Sequence, residues 1–221
     1  MTGLLQCLST AKKNFKVEDS MVIKCLPIGL FASNCYIVGQ NGEGVVIDPG
    51  CSPQMIVDAA KENNLEIKYI IITHGHIDHL MSVDEVRKKT GAEVLIHEKD
   101  ADKLTDPNLN DPVGVGLGRK CKAADRLLKD GEVITVGGLD FEIIHTPGHS
   151  AGGICIKVGD VVFTGDTLFC MGIGRTDFPD GDLSTLLDSI KNKLMKLDDN
   201  VVVYPGHGEP TTIGRERKEF S

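Results

Sequence analysis

From residue 22 onward the chain alternates short runs of Val and Ile with stretches whose apolar residues recur every three or four positions. The first pattern is that of a strand, whose side chains alternate between two faces, and the second that of an amphipathic helix. Strands are predicted over residues 22–26, 35–38, 44–47 and 68–72, each bounded by Gly, Pro or Asn; the first three read as a meander. Ser52 and Pro53 form an N-cap and first-turn pair, after which Met55, Ile56, Ala59 and Ala60 supply a helical apolar face. Further strands are predicted over 94–96, 141–144, 154–158, 161–164 and 201–204. The stripe Leu183, Leu186, Leu187, Ile190, Leu194 and Leu197 predicts a helix packed on the core. Many short strands with a few amphipathic helices suggest two packed sheets covered by helices, an architecture that periodicity alone does not settle. Residues 105–131 follow neither period. With Gly114, Gly116 and Gly118 spaced two apart they are expected to form a mobile loop, and they lack the flanking strand and helix of a phosphate cradle.

Composition narrows the class. At 221 residues with 41% hydrophobic side chains, the chain can bury a substantial single core; one domain is expected over 21–221, preceded by an extension over 1–20. A net charge of −8, from 24 basic and 32 acidic residues, disfavours a nucleic-acid partner. Seven cysteines occur singly, without a Cys-x-x-Cys pair, which fits a reducing, cytoplasmic setting better than a secreted disulfide scaffold. Lys12, Lys13 and Lys16 with no acid before Glu18 also leave organellar targeting open, although arginine is lacking. No stretch approaches the roughly 18 uninterrupted apolar residues of a membrane span.

The chemistry concentrates in Thr73-His74-Gly75-His76-Ile77-Asp78-His79, where an apolar strand runs out into three histidines and an aspartate. Core packing does not call for such a run, whereas imidazole and carboxylate are the ligands of zinc and related ions. Three further predicted strands end in Gly148-His149, Gly165-Asp166 and Gly206-His207, each glycine allowing the backbone to turn into a crowded centre. Five histidines and two aspartates exceed one closed tetrahedral zinc site. His97 and His145 lack a preceding glycine and read as hydrogen-bonded structural residues. Cys35 and Tyr36 read as core. Arg175 either pairs with Asp177 to hold a loop or contacts substrate.

His-x-His-x-Asp-His followed by Gly-His, Gly-Asp and Gly-His resembles the metallo-β-lactamase superfamily, and the resemblance covers about residue 21 to the C-terminus. It implies an α+β fold, a four-layer αββα sandwich of two mixed β-sheets flanked by helices. It further implies two Zn2+ ions, or Fe2+ or a mixed Fe/Zn pair: His74, His76 and His149 on the first, Asp78, His79 and His207 on the second, and Asp166 between them. Ser33-Asn34-Cys35-Tyr36, Gly172-Ile173-Gly174-Arg175-Thr176-Asp177-Phe178-Pro179 and Pro205-Gly206-His207-Gly208 look most like the short glyoxalase II-like hydrolases. The implied activity is cleavage of a small-molecule thioester of the hydroxyacylglutathione type by a metal-bridging hydroxide, with Asp78 and Asp166 catalytic. The chain ends soon after His207, without the C-terminal helical region that helps full-length glyoxalase II bind glutathione. Persulfide dioxygenases of the same fold carry a similar Gly-Arg-Thr-Asp-Phe element and a single iron, here on His74, His149 and Asp166, but Asp78 and His79 would then be superfluous. A β-lactamase is disfavoured because Asp166 stands where many of those zinc enzymes carry cysteine.

Overall fold

Ile70, Ile71 and Ile72 are consecutive and all fully buried, which a strand achieves only when both of its faces are covered. The computed structural model describes residues 20–27 and 32–220; apart from Ser20, the expected N-terminal extension lies outside them. The first sheet orders its strands as in the sequence: β1 (Val22–Pro27), β2 (Asn34–Gln40), β3 (Glu43–Ile47), β4 (Glu66–Ile72), β5 (Glu93–His97) and β6 (Arg126–Leu128). β1 to β3 form the predicted antiparallel meander, and β3 to β6 run parallel. The connections carry α1 (Pro53–Glu62), α2 (Ile77–Leu80), α3 (Val83–Thr90), α4 (Ala101–Thr105) and α5 (Pro107–Asn110).

The rest of the chain builds a second mixed sheet from β7 (Val133–Val136), β8 (Leu139–His145), β9 (Ile154–Val158), β10 (Val161–Gly165), β13 (Val202–Pro205) and β14 (Thr211–Thr212), in the spatial order β14-β13-β10-β9-β8-β7. Between β10 and β13 lie a small hairpin, β11 (Leu168–Phe169) with β12 (Gly172–Ile173), and α6 (Leu183–Asn192). A last short helix, α7, spans Ile213–Glu216.

Alternation along each strand sorts the core into three layers. Tyr36, Val38, Val45, Ile47, Ile71 and Leu95 meet Phe141, Ile143, Ile156 and Phe163 between the sheets. The opposite faces turn outward: Ile37, Val46, Ile70 and Ile72 pack on Ile56 and Ala60 of α1 and Val83 and Val86 of α3, while Cys155, Val162 and Val203 pack on Leu186 and Ile190 of α6. Each fully buried Leu or Ile contributes about 1.5–3 kcal/mol of transfer free energy. The result is the four-layer αββα sandwich.

Three local expectations are corrected. Ser52 makes no side-chain cap, so Pro53, with its fixed φ, starts α1 alone. The leucine stripe does not stay in one helix: α6 ends at Asn192 and a 3-10 turn over Leu194–Lys196 carries the buried Leu194. Residues 105–131 are organised rather than featureless. They contain α5 and β6, and the Asp111 carboxylate accepts the backbone N–H groups of Gly114, Val115, Gly116 and Leu117 at 2.7–3.1 Å. Bonds from a side chain to its own local backbone leave no hydrophobic period to read.

Candidate metal centre

Parallel pairing brings the C-terminal ends of β3 and β4 together in one sheet and those of β10 and β13 in the other. Four chain segments leave the sandwich there. His74 and His76 follow β4, Asp78 and His79 sit on α2, Asp166 follows β10 and His207 follows β13. The turn after β8 adds His149. All seven residues expected at the site therefore meet, although His74 and His207 lie on different sheets. Their approach is tight: a Cβ on Gly206 would stand 2.2 Å from Asp166 Oδ1, so only glycine fits beside that carboxylate.

Ligand-type atoms fall into three groups, each within 4.8 Å: His74, His76 and His149; His74, His79 and Asp166; Asp78, His79 and His207. His149 Nε2 faces His76 Nδ1 at 2.9 Å, and Asp78 Oδ2 lies 3.1 Å from His207 Nε2 and 3.2 Å from His79 Nε2. Asp166 reaches His79 at 3.4 Å with Oδ1 and both His149 and His207 at 3.6 Å with Oδ2. The carboxylate expected between two ions thus stands between the two sets.

The electrostatics differ across the centre. Burial pushes His74 well below the usual imidazole range and His76 down to about 3, and neighbouring histidines add to both shifts. Burial likewise lowers His149, although Asp166 opposes it. For His79 burial acts the same way but is outweighed by Asp78, Asp166 and Asp48, so its pKa rises well above the usual value. His207 also ends raised, because its contacts with Asp78 and Asp166 overcome burial. Burial opposes ionisation of Asp78 and Asp166, yet His79 chiefly holds both below the ordinary carboxylate range.

A metal fits this donor set. His74 Nε2, His76 Nε2, His79 Nε2 and Asp166 Oδ1 are buried without any hydrogen-bond partner, and a buried polar atom left unpaired costs roughly 1–3 kcal/mol. A cation supplies the missing partner for several at once. The sequence profile of the metallo-β-lactamase superfamily matches residues 28–207. The chain belongs to that superfamily.

Within the superfamily, the chain is 35% identical over 213 residues to the hydroxyacylglutathione hydrolase GloC of Haemophilus influenzae, covering 90% of this chain and 96% of GloC. Among solved structures it resembles the B3 metallo-β-lactamase BLEG-1 (TM-score 0.85, 37% identity, 89% and 97% of the two chains). It also resembles TTHA1623 in a di-iron-bound form (TM-score 0.79, 31%, 88% and 97%) and ETHE1 from Myxococcus xanthus (TM-score 0.74, 29%, 90% and 82%).

Arg175 forms a bidentate pair with Asp177 at 2.7–2.9 Å and lies 4.6 Å over the Phe178 ring; its carbonyl, rather than its guanidinium, touches the centre, accepting from His149 Nδ1 at 2.7 Å. His97 and His145 stack on each other at 4.0 Å, 8° from parallel. Tyr36 is a core residue as expected, and its hydroxyl also donates to the Pro205 carbonyl at 2.6 Å. Asn34 donates to the Pro205 and Gly208 carbonyls, which fastens the His207 turn to β2.

Sequence reasoning missed two buried carboxylates. Asp48 Oδ1 accepts from Thr73 N at 2.7 Å, and Oδ2 accepts from Thr73 Oγ1 at 2.6 Å and faces His79 Nδ1 at 2.9 Å. Its backbone is held at φ 52°, a conformation rare outside glycine that clusters at functional sites. The available signal was an apolar strand running into Asp48-Pro49-Gly50, which reads equally as a turn. Asp100, the second, stands inside the charged run Glu98-Lys99-Asp100-Ala101-Asp102, which reads as solvated.

Proposed function

We propose that this protein is a dinuclear metal-dependent thioesterase of the hydroxyacylglutathione hydrolase (glyoxalase II) type. One observation carries the reading: Asp166 stands within 3.6 Å of members of both three-residue ligand sets and lines an open cavity of about 360 Å3, and a mononuclear site would leave Asp78, His79 and His207 idle. The similarity to GloC points to the same chemistry. Zn2+ is the ion that best suits this mixture of imidazole and carboxylate. Divalent ions held there would lower the pKa of a water molecule and polarise the carbonyl under attack.

The protein's own groups prepare that chemistry. Asp48 fixes one nitrogen of His79 and the Arg175 carbonyl one nitrogen of His149, so each ring presents its other nitrogen inward. Asp78 and Asp166 stay ionised at neutral pH because the surrounding imidazoles favour the charged form. Val113, Val115, Phe169, Ile173 and Phe178 wall the cavity and give it an apolar side. Among the described residues lining it, the cationic Arg175 is already engaged by Asp177.

Free-thiol release from S-lactoylglutathione by zinc-reconstituted protein tests the proposal, run beside Asp166→Asn. Release that the substitution lowers on the order of 100- to 1000-fold is the expected result. Fully metallated protein that releases no thiol would overturn it, and iron content with oxygen uptake on a persulfide would then test the mononuclear iron dioxygenase.

A further inference from the structure

Asp100 ends a 3-10 turn over Glu98–Asp100, directly after β5, and its side chain is fully buried. Burying a carboxylate is costly unless each oxygen is matched by donors, and the donors are informative. Oδ2 accepts from Gly75 N at 2.8 Å and from Ser150 Oγ at 2.8 Å; Oδ1 accepts from Gly152 N at 2.7 Å and lies 3.3 Å from Lys103 Nζ. Gly75 separates His74 from His76, and Ser150 follows His149. One carboxylate therefore grips both loops that carry the His74, His76 and His149 set.

A second grip reinforces the first. Lys103 Nζ donates to Asp180 Oδ2 at 2.6 Å, and the same oxygen accepts from Ala151 N at 3.0 Å. The three residues after His149 are thus each held, two by Asp100 and one through Asp180. The packing leaves no slack: a Cβ on Gly75 would stand 2.5 Å from Lys103 Cβ, and one on Gly152 would stand 2.5 Å from Asp100 N. Across the gap bridged by Asp100, His76 Nδ1 and His149 Nε2 face each other at 2.9 Å.

We infer that Asp100 is a positioning residue which, by clamping the His76 and His149 loops at a fixed separation, sets the affinity of the three-histidine set for its ion without touching that ion. The inference rests on the metal-centre reading. Asp100→Asn places an amide N–H where one of the two oxygens now accepts two donors, so the clamp loses one arm while side-chain volume is preserved.

The experiment is a zinc titration of the whole protein against a competing chelator. His149→Ala and His207→Ala identify which binding step belongs to which set. In Asp100→Asn the step lost in His149→Ala is expected to weaken roughly 10- to 100-fold, the range for partners that orient metal ligands, while the other step moves less than about threefold. If Asp100→Asn does not fold, Ser150→Ala removes a single bond from the clamp and is expected to shift the same step in the same direction by a smaller factor. Equal weakening of both steps, or a fall in Tm with neither step displaced, would show Asp100 to be a general fold stabiliser and overturn the inference. Wild-type protein that takes up no zinc would instead overturn the metal reading itself.

Discussion

The two halves of the centre are built on different terms. The His74, His76 and His149 half is composed of histidines whose burial favours the neutral ring, and its clamp, Asp100, reaches the loops through backbone N–H groups and a serine. The Asp78, His79 and His207 half holds charge, is more open, with the His207 side chain 30% exposed against 6% for His149, and is anchored by a carboxylate, Asp48, that bonds directly to a ligand ring. Both sets reach the cavity, the first through His76 and His149 and the second through Asp78 and His207, so the contrast lies in charge and in side-chain exposure. Similar donor types thus acquire different duties from burial and from what stands behind them.

Asp166 joins the halves, so replacing it breaks the comparison most severely. Asp166→Asn is expected to lower kcat/KM on the order of 100- to 1000-fold, the scale of losing one electrostatic contact to reacting atoms, and to weaken both zinc steps together. Asp48→Asn should separate the halves again: the step belonging to Asp78, His79 and His207 weakens roughly 10- to 100-fold in a chelator competition, with a smaller effect on the other, which Asp48 reaches only through Thr73.

Acidification sharpens the same contrast. The raised pKa values of His79 and His207 mean that protons compete for the second set at higher pH than for the first, whose histidines are already neutral there. Dialysis from about pH 8 to about pH 6 should therefore release the second ion before the first, each pH unit below a ligand's pKa costing about tenfold in affinity; metal content per chain reads this directly, and release in the opposite order contradicts the assignment. The smallest effect is expected at Arg175, which is exposed and paired on the surface. Arg175→Gln should change stability by less than about 1 kcal/mol while both zinc steps persist, because His149 is held by the backbone carbonyl.

Much of this architecture is legible without coordinates. The runs that became β2, β3, β4, β9 and β10 alternate or persist in Val and Ile as strands buried on both faces must, and the stripe of α6 repeats at helical spacing. His74, His76, Asp78 and His79 announce themselves by density alone, and His149, Asp166 and His207 by recurring after glycine at strand ends. The fold of residues 111–117 around Asp111 escaped because local side-chain bonds leave no period.

Sequence by itself thus determined the layers, the seven ligand candidates and the superfamily to which they belong. The resemblance also implied which set each candidate joins; only the tertiary structure decided that Arg175 acts through its carbonyl, and that Asp48 and Asp100 stand behind the two halves. The reason is physical. Hydrophobic period reports how much of a residue is covered, whereas the role of a buried carboxylate depends on which donors surround it. Apart from Lys103, those of Asp48 and Asp100 come from residues 25 to 52 positions away, brought near by pairing of β3, β4 and β5 in the first sheet and, for Ser150 and Gly152, by packing of the second sheet on the first.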